Sequence, residues 1–415
     1  MRYLILLALI ISPAFAETIA ITGGTIHTAT GAPIINGTVV IEDGVISAVG
    51  TDVDIPDGAR IIAASGKHVT PGIINGSTTY GLSEGAAGKY KSDTNANGSG
   101  MTASFEVKYA LNSASTLIRE GRRQGVTRAV SSPQSSGDIF SGTSAIITMD
   151  NALDMNFAMG AMHAKFGNAS NRAVAWNRIR TIFDQVEDYD SNKSRAMRGQ
   201  SQHYLLSFAD MDALIPVLNG DKKLVIEMGS EAEIRGAIQL QQDYDLDLVI
   251  QGAQEAWKVG AELAEAGIPV LVDPEHNTFG NINMAGTTFS NAARLEKAGV
   301  TVAFYSGNGS LFYGHQIVQF AGIAVAHGMS HDGAIRAVTS NPAKIFDIDD
   351  VVGTLEEGQD ADVVVWDGDP LEVTSNTDHV IIRGVEHELM SRRTLLRDRY
   401  LNLNRGVSFT KRYQN

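Results

Sequence analysis

Between residues 18 and 68 the hydrophobic positions fall in short alternating runs, Ile19–Ile21, Gly37–Ile41 and Val45–Val49, separated by Gly23-Gly24, Asp43-Gly44 and Asp57-Gly58. Alternation bounded by glycine turns predicts an antiparallel sheet. From Pro71 to Phe346 the pattern changes. Helices are expected over Ser113–Gln124, Asp210–Asn219, Glu231–Tyr244, Glu255–Gly267 and Ser290–Gly299, with largely apolar runs between them at Val126–Ser131, Leu224–Ile226, Leu246–Ile250, Val270–Val272 and Thr301–Phe304. Met155, Met159 and Met162 recur at helical spacing and predict a core stripe. Strands that are apolar throughout and alternate with helices imply a parallel sheet covered on both faces. The interval 71–346 is close to the usual size of a (β/α)8 barrel, about 250 residues. From Val351 to about Val385 strands return, with Asp360–Trp366 the strongest. The expected architecture is α/β: a (β/α)8 TIM barrel over residues 71–346, and a composite β-sandwich domain formed by both chain termini, residues 17–70 and 347–415, the latter including a C-terminal tail.

Residues 1–16 read as a leader, with basic Met1-Arg2, an apolar run from Tyr3 to Ile11, and Ala14-Phe15-Ala16 as a cleavage signal. Cleavage after Ala16 and export to the periplasm are expected. The run falls short of the ~20 apolar residues a bilayer span needs, so no membrane insertion is expected after cleavage. The chain has no cysteine, which excludes disulfides, thiolate metal sites and cysteine nucleophiles. A formal net charge of −14 disfavours nucleic acid and anionic lipid as partners, since both need a basic face. The polar stretch Ser83–Gly100 reads as a long, mobile loop over the barrel mouth. Arg392–Arg412 is a basic tail, read as solvated, with docking on a second subunit as the sharper alternative.

The segment Val69–Tyr80 (VTPGIINGSTTY) reads as the entry to the barrel: an apolar strand, a Pro-Gly turn, then Ile73-Ile74 running to a polar end. With Ile21–Gly50 and with Ala334–Ser375, which carries Asn341-Pro342-Ala343 and Asp362-Val363-Val364, it resembles the amidohydrolase superfamily, nearest to imidazolonepropionase-like members. The resemblance spans nearly all of the mature chain. It implies a metal-dependent hydrolase frame with ligands at the ends of strands 1, 5, 6 and 8. Carried over position by position, the paired histidines of strand 1 fall on Ser77 and Thr79. The strand 5 histidine falls on Glu227, or on Gly229 with a slip. The strand 6 histidine falls on Gly252, and the strand 8 aspartate on Gly307 or Asn308.

Of these, only Glu227 binds metal well. Zinc catalysis requires three good ligands and an open position, and without the ion a water keeps its pKa near 16. No cofactor is therefore expected, and no metal at the site. Zinc or another divalent ion enters only in the alternative reading, in which Glu227 and His276 remain catalytic and hydrolyse a non-peptide (amide or cyclic amide) C–N bond at a remodelled site. His276, in Val272–Asn277 with Asp273 and Glu275, follows strand 7 on the catalytic face. Ser77, Thr79, Gln251 and Asn308 are expected around the ligand pocket. The primary expectation is an exported protein that has lost the metal-dependent site and binds a small molecule, or serves as the non-catalytic partner of an active relative or within a homo-oligomer. His27, His68, His379 and His387 are assigned to the β-domain and His331 to a helix boundary, with no role in catalysis. Gly81–Gly85 matches the serine-hydrolase G-x-S-x-G pattern but lacks the helix that motif requires directly after it.

Overall fold

The computed structural model describes residues 17–83, 92–135, 138–150, 157–166, 171–200, 203–278, 284–306, 316–390 and 392–401. The leader, Met155, Asn308, His315 and the end of the tail lie outside these residues.

The alternating N-terminal runs form β1 (Ile19–Ile26), β2 (Ile34–Glu42), β3 (Val45–Gly50), β4 (Arg60–Ala63) and β5 (His68–Pro71). One sheet then takes in strands from both chain ends. Its order is β16-β15-β14-β5-β1-β2-β3, with β14 (Val363–Trp366), β15 (Thr377–Ile382) and β16 (Val385–Glu386) entering through an antiparallel β14–β5 pairing. Ile19, Ile21, Val39, Ile41, Val363 and Val365 form its apolar layer.

The second sheet is a nearly closed barrel of β6 (Ile73–Thr78), β7 (Val126–Ser131), β8 (Phe140–Thr148), β9 (Phe157–Lys165), β10 (Leu224–Met228), β11 (Leu248–Gly252), β12 (Val270–Val272) and β13 (Val302–Phe304), paired in sequence order. At the seam between first and last strands Ser306 N donates to Ser77 O at 3.4 Å. Gly76 allows that approach, because a Cβ there would lie 2.9 Å from Phe304 O.

The strand number matches the expectation, but the repeat is not uniformly (β/α)8. β8 runs antiparallel to both β7 and β9. The connections 132–139 and 149–156 are shorter than the dozen or so residues a parallel crossover needs, so hairpin-type pairing is the accessible solution. Met159 and Met162 accordingly sit on strand β9, not on a helix. Met162 is fully buried and Met159 is exposed, so the expected helical stripe does not form.

The helices are α1 (Thr116–Arg122), α2 (Arg172–Ala196), α3 (Phe208–Leu218), α4 (Glu231–Tyr244), α5 (Gly260–Glu265), α6 (Asn291–Lys297), α7 (Ile317–Ala326), α8 (His331–Ala337), α9 (Ser340–Ile345) and α10 (Arg392–Leu401). Local chemistry explains several starts. Ser230 and Glu233 close a capping box on α4, and Asn171 caps α2 by accepting from Ala173 N at 2.9 Å. α2, which the sequence pattern did not suggest, buries Ile179, Ile182, Phe183 and Val186. None of the described helices is long and apolar enough to cross a membrane.

Two kinds of contact join the sheet to the barrel. Arg128 of β7 donates to Asp362 at 2.7 Å and to Asp360 at 2.8 Å, just before β14. Trp366, held within the sheet by donating its Nε1–H to Thr70 Oγ1 at 2.9 Å, lays its ring over Gly125 of the barrel, where a Cβ would lie 2.9 Å from the indole. Gly125 also adopts φ 83°, a conformation that favours glycine.

Candidate functional site

Side chains alternate along a strand, so residues two apart share a face. Val130, Ala161, Val225, Val249 and Ala303 fill the barrel interior. Two positions further on, the same face carries Ser132, His163, Glu227, Gln251 and Tyr305, and β9 adds Lys165 after His163. Strand register sets Lys165, Glu227 and Gln251 side by side across β9, β10 and β11. The result is a cavity of about 370 Å³ at the carboxyl ends of the strands, walled by these residues together with Ser77, Thr79, Gln134 and Ser141.

Much of the polar wall is bonded to itself. Ser77 Oγ donates to Ser132 Oγ at 3.0 Å, Ser132 donates onward to Val130 O at 3.3 Å, and Asn75 Nδ2 donates to Ser306 Oγ at 2.9 Å. Thr94 Oγ1 donates to Gln134 Oε1 at 2.9 Å. This bond ties part of the 83–100 segment to the rim, and Thr94 is buried there. Lys165 Nζ and Glu227 Oε1 form an ion pair at 2.6 Å, each about one-third exposed at 34%. Their charges cancel.

Two groups differ from the rest. His163 Nε2 and Gln251 Oε1 are buried and have no hydrogen-bond partner among the described residues. Burial lowers the His163 pKa to about 3, so the imidazole is neutral at physiological pH. Burial, reinforced by Glu227 and Asp273, raises the Tyr305 pKa well above its usual value, and the phenol stays protonated.

Of the residues expected from sequence, Ser77, Thr79, Glu227 and Gln251 all lie on this cavity wall. His276 does not. Its ring is 61% exposed, and its Nδ1 lies 2.9 Å from Asp273 Oδ2. Asp273 Oδ1 also accepts from the backbone N–H groups of Glu275 and His276, a compact loop turn that holds the imidazole outside the cavity. Gly252 has φ 90° and no side chain to offer. Among the described residues, no three histidine or carboxylate ligand atoms converge at the mouth.

A family model described as the amidohydrolase family matches residues 246–386. An amidohydrolase from Thermotoga maritima superposes with a TM-score of 0.79 at 26% identity, covering 90% of this chain and all of that one. The chain belongs to the amidohydrolase superfamily. A curated relative, amidohydrolase tasK of Hapsidospora irregularis, is 23% identical over 84% of this chain. The chain spans 39% of that relative's length. A. niger ochratoxinase shares the fold at 16% identity and TM-score 0.55, covering 89% of this chain and 95% of that one.

Within this amidohydrolase barrel, sequence reasoning missed His163 and Lys165 because the methionine spacing of 155–162 imitates a helix. The signal that finds them is strand parity. Ala161, His163 and Lys165 follow one another on a single face of a strand whose limits are fixed by pairing with β8 on one side and Leu224–Glu227 on the other.

Proposed function

We propose that the barrel mouth binds a small polar molecule carrying N–H or O–H donors, without a catalytic metal, and that the protein acts as a ligand-binding or partner member of its superfamily. The observation that carries this is the pair of buried, unpartnered atoms, His163 Nε2 and Gln251 Oε1, on the wall of a cavity of about 370 Å³. A buried polar atom without a partner costs about 1–3 kcal/mol, and a ligand that supplies the missing bond recovers it. The cavity lies at the small end of the usual range for ligand sites, about 300–1,000 Å³. Because Lys165 and Glu227 neutralise each other, a neutral or zwitterionic ligand fits better than a polyanion.

A catalytic zinc fits these residues poorly. Such an ion, where present, lowers the pKa of its bound water to about 7. Here Glu227 is engaged by Lys165, Ser77 by Ser132, and Gly252 has no ligand atom.

The experiment is calorimetric titration of chelator-treated full chain with a panel of small amides, lactams and amino-acid derivatives. A ligand bound by the native protein should lose about tenfold in affinity in Gln251→Leu, the equivalent of ~1.4 kcal/mol. Affinity unchanged in both Gln251→Leu and His163→Phe would refute the site. A rival reading, hydrolysis of a non-peptide C–N bond, draws on the likeness to proteins named amidohydrolases and on Glu227, a carboxylate facing the cavity. Release of amine from any panel member by chelator-treated protein, abolished in Glu227→Gln, would establish that reading instead.

A further inference from the structure

The residues best suited to hold a metal ion lie away from the mouth. His27 directly follows β1 of the terminal sheet, while His331 and Asp332 open α8 on the barrel. One ligand atom from each of these three residues lies within 4.8 Å of the others. His27 is only 5% exposed, and its Nδ1 is buried with no hydrogen-bond partner among the described residues. A buried imidazole nitrogen beside a second imidazole and a carboxylate is a ligand set of the zinc type.

The surrounding contacts orient the rings as metal sites require. Both carboxylate oxygens of Asp369 lie 3.0 Å from His331 Nε2, which fixes the proton on Nε2 and leaves the Nδ1 lone pair free to ligate. His27 Nε2 lies 2.9 Å from His68 Nδ1. With His27 as the donor in that bond, its own Nδ1 presents a lone pair. The His27 and His331 ring centres are 5.4 Å apart.

We propose that His27, His331 and Asp332 bind a zinc-class divalent transition-metal ion at the seam between terminal sheet and barrel, with His68 and Asp369 as outer hydrogen-bond partners and water as the remaining ligand. Tetrahedral ligation at about 2.0–2.1 Å places ligand atoms roughly 3.4 Å apart, against separations of up to 4.8 Å here. His331 and Asp332 are partly exposed, which gives the ion an entry path. The ion would link the first strand of the sheet to a barrel helix, a structural role distinct from any chemistry at the mouth.

The test uses tag-free full-length protein, stripped with chelator, incubated with zinc chloride, gel-filtered and assayed for bound metal. One zinc per chain is expected, with a raised melting temperature, and a tetrahedral ligand-field spectrum on cobalt substitution. His27→Gln and His331→Gln should abolish stoichiometric binding. Asp369→Asn, which leaves all three ligands in place, should weaken it about 10- to 100-fold. Glu227→Gln at the mouth should leave it unchanged. Absence of bound zinc in the native chain overturns the proposal, as does binding that survives both histidine changes or disappears in Glu227→Gln. Cobalt titration of Asp369→Asn keeps the test decisive where a histidine variant fails to fold, because unaltered affinity there also overturns it. The mouth-binding reading is tested on chelator-treated protein, so the two proposals fail separately.

Discussion

At the barrel mouth the polar wall is largely bonded to itself through hydroxyls, and its Lys165–Glu227 ion pair is a third exposed. At the seam beneath the terminal sheet, Arg128 meets two carboxylates with its side chain only 12% exposed, and Asp362 is only 4% exposed. The His27–His68–His331–Asp369 group lies at the junction of the same two units. The functional end of a barrel is expected to hold the strained and charged groups. Here a buried arginine–carboxylate network sits at the seam, where it fastens two units together, and the cavity wall carries a partly exposed, neutralised pair. The contrast predicts that loss of seam residues lowers stability, whereas loss of mouth residues weakens binding in the pocket.

The sharpest way to break this contrast is at Arg128. Arg128→Met leaves Asp362 without its cation and leaves Asp360 with only Arg383, 3.8 Å away. Burial alone would depress the guanidinium pKa, yet Asp362 and Asp360 more than offset it and hold the pKa above its usual value. Removing one partner of such a buried network costs about 3–5 kcal/mol. Urea denaturation should show that loss as a lower midpoint with an unchanged slope. A loss under about 1 kcal/mol would mean that the seam is no more dependent on its charges than the mouth.

Much of this architecture was legible from pattern alone, and the illegible parts have identifiable causes. The α4 helix falls where periodicity placed it, Glu231–Tyr244, because an apolar stripe and a capping box agree. β7 and β12 likewise match their apolar runs, Val126–Ser131 and Val270–Val272. β8 and β9 escaped because Phe140–Thr148 is rich in small polar residues and the Phe157–Lys165 strand carries methionines at misleading spacing. Four of the expected cavity residues lie on its wall, since strand ends fix them. The histidine group could not be read. His27, His68, His331 and Asp369 are distant along the chain, and only the β1–β5 pairing and the docking of α8 bring them together.

The mouth has its own sensitivity, in pH rather than in ion pairing. His163 is buried and neutral, with a pKa of about 3 against 6.5 for an ordinary histidine. Its nearest charged neighbours on the cavity wall, Lys165 and Glu227, are paired with each other. Below pH 6.5 the unfolded chain binds a proton that the folded chain refuses, so stability falls as pH decreases toward about 3. The slope from one such group approaches ~1.4 kcal/mol per pH unit. His163→Asn should flatten the stability profile between pH 6.5 and 4.5 relative to the native protein. Parallel profiles for the two would show that His163 reaches solvent.

The smallest expected effect is the most informative about function. Lys165→Met breaks the Lys165–Glu227 pair at 34% exposure, where solvent screening limits a pair to about 0–1 kcal/mol, so the melting temperature should hardly move. The same change releases Glu227 as an unpaired carboxylate facing the cavity and turns a neutral site into an anionic one. Affinity for a neutral ligand should then fall while affinity for a cationic amine rises, and calorimetry on one matched ligand pair reads both. If Lys165→Met instead destabilises the fold by as much as Arg128→Met, the mouth and the seam are alike in what they contribute. If it changes stability and binding not at all, Lys165 and Glu227 stand apart from any bound molecule, and the unpartnered polar atoms of His163 and Gln251 define the site without them.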